Sequence, residues 1–221
     1  MDQEQLQEIA TNLRSRRMDF RKKALDKLVT LDSVVALPIL KELSLEKDFG
    51  LRCWAMMGFK YHLTEDSFDF LKKVLDQEQD NSVLAEAANS IFEFGDQAIA
   101  PLQDLFDRCD YWLVRHTIVS VLIESEDPQI RLQIAKKAIA DSEQTTKEIG
   151  ILALSKLLNT EFKEEALSIF TELATAEDWR TRWRTAIALS GSSEPQAKEL
   201  LAQLRQDQNY RVVAAALEQS E

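Results

Sequence analysis

Asp48-Phe49-Gly50-Leu51-Arg52-Cys53-Trp54-Ala55 sets an aspartate, an arginine four residues later and a small residue three further on. The arrangement returns along the chain. Asp178-Trp179-Arg180-Thr181-Arg182 leads to Thr185-Ala186, and Asp207-Gln208-Asn209-Tyr210-Arg211 leads to Ala214. Asp110-Tyr111-Trp112-Leu113-Val114-Arg115 carries one inserted residue. Asp80 keeps its alanine, Ala87, but has Leu84 in the arginine slot. Asp19 heads a shortened copy with Arg21 and Ala24, and Asp141 a degenerate one with Lys147 and Gly150. Successive aspartates are 29, 32, 30, 31, 37 and 29 residues apart. Seven units of about 31 residues therefore span the chain, a period that marks stacked-repeat architectures.

Each unit reads as two helices. After the aspartate, apolar residues recur at helical spacing, as Val114, Ile118, Val119 and Leu122, and again as Ile149, Leu152, Ala153 and Leu157. That period gives a helix one buried stripe. The aspartate stands where an N-cap belongs, its carboxylate accepting from the free amides of the first turn. Polar breaks follow at Gly95-Asp96, Glu126-Asp127-Pro128 and Gly191-Ser192-Ser193-Glu194-Pro195. Proline suits the first turn of the next helix, where its missing amide has no partner to lose. The pattern predicts first helices at 3–14, 34–46, 66–77, 97–107, 128–140, 162–175 and 195–206. It predicts second helices at 19–31, 49–61, 81–94, 111–124, 144–158, 179–190 and 208–219. One such pair cannot cover its own apolar face, but stacked pairs close a continuous core. The expected fold is all-α: a right-handed α-solenoid of about seven helix pairs, one domain over residues 1–221, with polar ends (Met1–Gln5, Glu218–Glu221) facing water.

Composition agrees. Glycine occurs 5 times and proline 4 times, against about 15 and 11 at average usage. So few turn formers argue against sandwiches, barrels and glycine-loop nucleotide folds. With 27 basic and 38 acidic side chains the net charge is −11, which makes nucleic acid and anionic lipid poor partners. No apolar run long enough to span a membrane occurs, and the start lacks the basic and apolar regions of a secretory leader. Two cysteines and two histidines give no zinc-finger spacing and fit a reduced cytoplasm, and GxGxxG, GxxxxGK[ST], HExxH and GxSxG are all missing.

The phrase Ala87-Ala88-Asn89-Ser90-Ile91-Phe92-Glu93-Phe94-Gly95-Asp96-Gln97-Ala98-Ile99-Ala100-Pro101-Leu102 resembles the HEAT-like repeat of the phycobilisome-lyase type. The units of Asp48/Arg52/Ala55 and Asp207/Arg211/Ala214 resemble it too, as do the turns Ser193-Glu194-Pro195 and Glu126-Asp127-Pro128. The resemblance runs through the whole length. It departs at the Asp80 unit, which lacks the arginine, and at the Asp141 unit, which lacks both arginine and the double alanine. That group includes phycobilisome degradation proteins and the paired subunits of phycocyanobilin lyases. The resemblance implies phycobiliprotein partners (phycocyanin, allophycocyanin) in a cyanobacterial cytoplasm, beside the thylakoid-associated phycobilisome. It implies bilin lyase-type attachment or detachment of a transiently held phycocyanobilin, with no tightly bound cofactor. The alternatives are a subunit of a heterodimeric lyase and a scaffold adaptor for another cytosolic complex.

The Asp/Arg ladder has a structural explanation, capping and bridging of neighbouring units. More informative are large side chains one or two places after the arginine slot: Cys53-Trp54, His116 and Trp183-Arg184. They flank the core positions, on the side expected to form a solenoid's inner surface. Trp112 and Trp179 lie in the first turns of their predicted helices, beside Tyr111 and Arg180. Trp and Arg dominate interface hot spots, so Trp54, Trp112, Arg115, His116, Trp179, Arg180, Trp183 and Arg184 are the expected partner- or bilin-binding residues. The competing reading is that each tryptophan fills space between uneven repeats. His116 is the candidate acid–base group, since histidine titrates nearest neutrality. Cys53 is a candidate thiolate beside Arg52 only if its pKa is depressed; otherwise it is a small residue near the core. Clusters at Arg14, Arg16, Arg17, Arg21, Lys22 and Lys23, and at Arg180, Arg182 and Arg184, suit acidic groups or a solvated face. No metal site is expected.

Overall fold

A computed structural model describes residues 2–218. Among them it has fourteen α-helices: α1 (Gln3–Leu13), α2 (Met18–Leu28), α3 (Ser33–Leu43), α4 (Phe49–Phe59), α5 (Glu65–Gln77), α6 (Asn81–Ile91), α7 (Asp96–Arg108), α8 (Trp112–Leu122), α9 (Pro128–Ile139), α10 (Gln144–Ser155), α11 (Lys163–Ala174), α12 (Trp179–Leu189), α13 (Pro195–Leu204) and α14 (Tyr210–Leu217). Every predicted helix is present. The expected polar tips at residue 1 and residues 219–221, and the expected last helical residue, 219, lie outside the described residues. None of the helices is long and apolar enough to cross a membrane.

Contacts group the chain into two compact units, Met1–Ile118 and Val119–Glu221, with the division falling inside α8 rather than in a linker. In the first unit α1 packs on α2, α3 on α4 and α5 on α6. The second helices α2, α4 and α6 adjoin one another in turn, and α5 lies beside α7. In the second unit α9 packs on α10, α11 on α12 and α13 on α14, with α12 between α10 and α14 and α11 against α13. Each unit is thus two layers, first helices in one and second helices in the other. This is the HEAT-like arrangement of stacked helix pairs.

The layers close over apolar side chains. Leu40, Met56, Phe59, Leu71, Leu75, Ile91, Leu102 and Phe106 are buried in the first unit; Leu154, Leu157, Phe170, Leu189 and Val212 are buried in the second. Phe59 also stacks on Phe70, ring centres 4.7 Å apart. Truncating a buried phenylalanine such as Phe59 or Phe170 to alanine costs about 3–5 kcal/mol. Proline starts α9 and α13, as expected, but Pro38 and Pro101 sit inside α3 and α7. Gly95 alone among the described residues has a positive φ, +66°, where it ends a short 3₁₀ turn and admits α7.

Three repeat aspartates cap their helices as read. Asp48 accepts from Gly50 N at 2.8 Å, Asp80 from Ser82 N at 2.9 Å and Asp178 from Thr181 N at 3.1 Å. Each such cap contributes about 1 kcal/mol. Others do not match. Asp19 lies inside α2, paired with Arg17 at 2.8 Å. Asp141 is buried and accepts from Glu143 N, while Glu143, at the cap position of α10, makes no side-chain cap bond. The side chain of Asp110 is fully exposed, 3.9 Å from Arg115.

The Asp207 unit is read two residues out of register. Asn209 caps α14 through Arg211 N at 2.9 Å. Asp207 instead receives a two-pronged bond from Arg182, Nε at 2.6 Å and Nη2 at 3.0 Å. The same fork joins Arg52 to Glu78, at 2.9 and 3.2 Å. Both arginines are fourth in their helices, and each also donates through Nη1 to two carbonyls of its own loop, those of Glu46 and Lys47 or of Ala176 and Glu177. The acid they seek stands two residues before the next cap, at Glu78 before Asp80 and at Asp207 before Asn209. Guanidinium bonding holds both carboxyls below the usual range against the opposing effect of burial. Arg211 is therefore not a ladder arginine. It matches Arg180, two places after the cap.

Candidate binding groove

One face of α12 presents Trp179, Arg180, Trp183, Arg184 and Ile187, spaced at one, four, five and eight residues from the first, with Trp179, Trp183 and Ile187 also packing against the edge of the core. That spacing keeps them on one side of a helix, while Thr181, Thr185, Ala186, Ala188 and Leu189 on the other side are buried. All five line a groove of about 650 Å³, completed by Glu148 of α10, by Tyr210, Arg211, Ala214 and Ala215 of α14 and by Glu218. Four of the eight sequence-predicted residues thus meet in one place.

Guanidinium groups lie over the aromatic walls. Arg184 is 4.5 Å from the Trp183 ring centre, Arg180 5.7 Å and Arg211 5.2 Å from that of Trp179, and Arg211 5.7 Å from that of Tyr210. Such contacts are each worth about 0.5–1 kcal/mol when exposed. Arg184 also reaches Glu148, Nη2 to Oε2 at 2.5 Å, both side chains largely buried. Its Nε is buried without a hydrogen-bond partner. Arg180 and Arg211 differ: among the described residues neither has a carboxylate within 4.0 Å. The polar contact of the Arg211 side chain is with the Tyr210 hydroxyl, 3.1 Å from Nε.

Tyr210, Arg211 and Glu148 were not among the expected site residues. The signal for two of them is in the sequence. Asp178-Trp179-Arg180 and Asn209-Tyr210-Arg211 are both a capping residue, an aromatic and an arginine, an equivalence hidden when Asp207 is taken as the cap. Glu148 has no sequence signal; it enters because α10 packs against α12.

The other four expected residues lie in the first unit. Trp112 is 42% exposed, Tyr111 is 6.3 Å from it, and His116, one turn on, meets the indole edge-on at 6.5 Å. Arg115 takes another direction, its guanidinium 4.4 Å from the ring centre of the buried Phe106. Trp54 is half-buried on α4. None of the four tryptophans is sealed in a core. Beside Trp54, the Cys53 thiol is pushed up to about 11 by burial, then by Glu86 and Asp80, and Arg52 does not offset them. The thiol therefore stays protonated at neutral pH, opposite to what a thiolate role requires. Burial also raises the carboxyl of Glu86, whose side chain meets that of Asn89 at 3.5 Å. The first residues of α2, α4 and α8 are exposed apolar side chains in this unit, Met18 at 59%, Phe49 at 52% and Trp112 at 42%, whereas α6 between them begins with the polar Asn81.

Three of the six residues in the basic cluster at the start of the chain have partners within the fold. Arg14 bonds Glu46 at 2.6 Å and Glu42 at 2.8 Å, Arg17 bonds Asp19, and Arg21 donates to the Ser15 carbonyl.

Residues 117–220 match the family model of HEAT repeats. No curated protein matches the chain. Among solved structures, YibA of Escherichia coli superposes with a TM-score of 0.66 at 12% identity, over 97% of this chain and 80% of that one. The complex of CpcE and CpcF of phycocyanin lyase from Nostoc sp. PCC7120 gives 0.51 at 14% identity, over 95% and 85%. The karyopherin Kap121p, bound to the extreme C-terminus of the protein phosphatase Cdc14p, gives 0.52 at 17% identity, over 98% of this chain and 29% of that one. Helix pairing and comparison agree that the fold is an all-α array of HEAT-like repeats.

Proposed function

We propose that this chain is a bilin-lyase-like HEAT-repeat protein that binds phycobiliproteins and handles their linear tetrapyrrole, assisting its detachment during phycobilisome breakdown in a cyanobacterial cytoplasm. The groove over α12 and α14 carries the reading. Its three aromatic walls and three guanidinium groups suit a flat conjugated molecule bearing carboxylates. The resemblance of Ala87–Leu102 to the phycobilisome-lyase repeat, and the likeness of the fold to the CpcE–CpcF complex, point the same way.

Detachment of a thioether-linked bilin is an elimination. The C–S electron pair leaves with the cysteine sulfur, a proton is lost from the neighbouring ring carbon as the double bond forms, and a proton returns to sulfur. His116, the acid–base candidate read from the sequence, lies in the first unit and is not among the groove's lining residues. Trp54, Trp112 and Arg115 are candidate contacts to the phycobiliprotein.

Mixing the purified chain with phycocyanin tests this. The expected outcome is co-elution on size exclusion, with a falling visible absorbance and α- or β-chain masses reduced by one bilin. Separate elution with full absorbance and unchanged masses overturns the reading.

A second reading, one subunit of a heterodimeric phycobilin lyase, is favoured by the exposed Met18, Phe49 and Trp112 of the first unit. Side chains of this kind suit a covering partner chain. On that reading, size exclusion with a second HEAT-repeat subunit yields a stable pair, and attachment of bilin to apo-phycocyanin needs both chains.

A further inference from the structure

We propose that the groove over α12 and α14 is a small-molecule site for a planar conjugated anion, in which Arg180 and Arg211 form a paired carboxylate clamp and Glu148 sets the groove's charge. The assignment deepens the bilin-handling reading and rests on it for the choice of ligand.

Size is the first argument. About 650 Å³ falls inside the range of small-molecule sites, roughly 300–1,000 Å³. The second is the wall: Trp179, Trp183 and Tyr210 supply flat apolar faces within one compact unit. The third is charge. Arg184 is neutralised by Glu148, whereas Arg180 and Arg211 have no carboxylate within 4.0 Å among the described residues. Asp178 acts on Arg180 from beyond that distance, yet the groove's three guanidinium groups still outnumber its two lining carboxylates, Glu148 and Glu218, a local excess of positive charge on a chain of net charge −11. Their guanidinium carbons stand 5.7 and 5.2 Å from the Trp179 ring centre, and Arg211 donates its Nε to the Tyr210 hydroxyl, so that its two terminal nitrogens are the donors it can offer a carboxylate.

The fourth argument is register. Arg180 and Arg211 hold the same place, two residues after the cap, on neighbouring helices. The repeat thus brings both arms to one ligand. Neither arm belongs to the arginine ladder, whose place on α12 is taken by Arg182, so both can be altered without breaking it.

Fluorescence titration of the whole chain with biliverdin, a dicarboxylate, and with its dimethyl ester reads the clamp directly. Biliverdin is expected to bind about tenfold more tightly than the ester, the effect of one charge-assisted fork. The double variant Arg180→Gln/Arg211→Gln should lose that advantage and bind the ester as before. Glu148→Gln, whose amide still accepts from Arg184, should tighten biliverdin and leave the ester unchanged. A structural role for the arginines would move both ligands together. Equal affinity for acid and ester, or an unaltered acid affinity in the double variant, overturns the proposal. If biliverdin fails but 1-pyrenebutyrate binds with the same arginine and Glu148 dependence, the groove assignment stands and the bilin reading falls. If neither binds, the groove assignment itself is overturned, and complex formation with phycocyanin remains a separate result.

Discussion

Helix α4 of the first unit and α12 of the second are built on one frame. Each starts from an aspartate cap and has arginine fourth; that arginine holds two carbonyls of its own loop and forks onto an acid two residues before the next cap. From Leu51 to Lys60 and from Thr181 to Ser190 the sequence of buried and half-buried positions is the same. What differs is the outward face. Where α12 has Trp179-Arg180 and Trp183-Arg184, α4 has Phe49-Gly50 and Cys53-Trp54. The second unit gains a cationic, aromatic groove, whereas α4 carries an exposed Phe49, a half-buried Trp54 and a protonated thiol. Repeat stacking and groove lining are thus written at different positions of one helix.

The largest effect expected from this comparison is on the shared frame. Arg52→Ala leaves Glu78, and Arg182→Ala leaves Asp207, largely buried without its partner, and each also releases two loop carbonyls. Removing one member of such a pair should cost about 3 kcal/mol in either unit, read from urea unfolding. A loss below about 1 kcal/mol in one variant only would show that the two frames are not equivalent.

A smaller and unequal effect is expected at two helical glycines. A Cβ at Gly150 would lie 2.6 Å from Ala138 Cβ, 3.0 Å from Ile139 N and 3.1 Å from Ala135 O, where α9 and α10 meet. Backbone cannot turn aside, so Gly150→Ala should destabilise by about 2 kcal/mol. At Gly58 the close atoms are the methyl ends of Leu40 and Leu25. These can rotate, and part of the cost is offset by the better helix propensity of alanine. Thermal unfolding of the two variants should rank Gly150→Ala as the more damaging; the reverse order would break the argument.

The smallest effect is on pH. His62, at the position equivalent to Ser192, is buried with its Nδ1 3.2 Å from the Ser33 hydroxyl. Burial lowers its pKa, the nearby Asp32 acting in the opposite sense. The folded state therefore favours neutral imidazole. Its stabilising contribution is present above the ordinary histidine range and is lost as pH falls through that range toward the folded value. Tm should drop between pH 7.5 and pH 5, and the part due to His62 should vanish in His62→Gln. An unchanged pH dependence in that variant would remove His62 from the account.

Much of this was legible in the residues. The helices follow from a 3.6 spacing and local caps, which need only a few neighbours in sequence. Trp179, Arg180, Trp183 and Arg184 were legible because one helix face is a matter of spacing. The direction of Arg115 was not legible from spacing, because its guanidinium lies over the Phe106 ring of the preceding helix, a contact between helices. Cys53 was undecided in sequence because what raises its pKa is tertiary: burial first, then the field of Glu86 and Asp80 from the next helix pair.

The order of residues alone determined that this protein is a row of helix pairs, since amphipathic period and capping are settled within a dozen residues. Only the tertiary structure decided which arginine stacks repeats and which lines the groove. Asp207 and Asn209 can both cap α14 chemically. Arg182, reaching across from the preceding pair, claims the carboxylate of Asp207. The cap then falls to Asn209, and the frame shifts by two so that Arg211 turns into the groove beside Trp179.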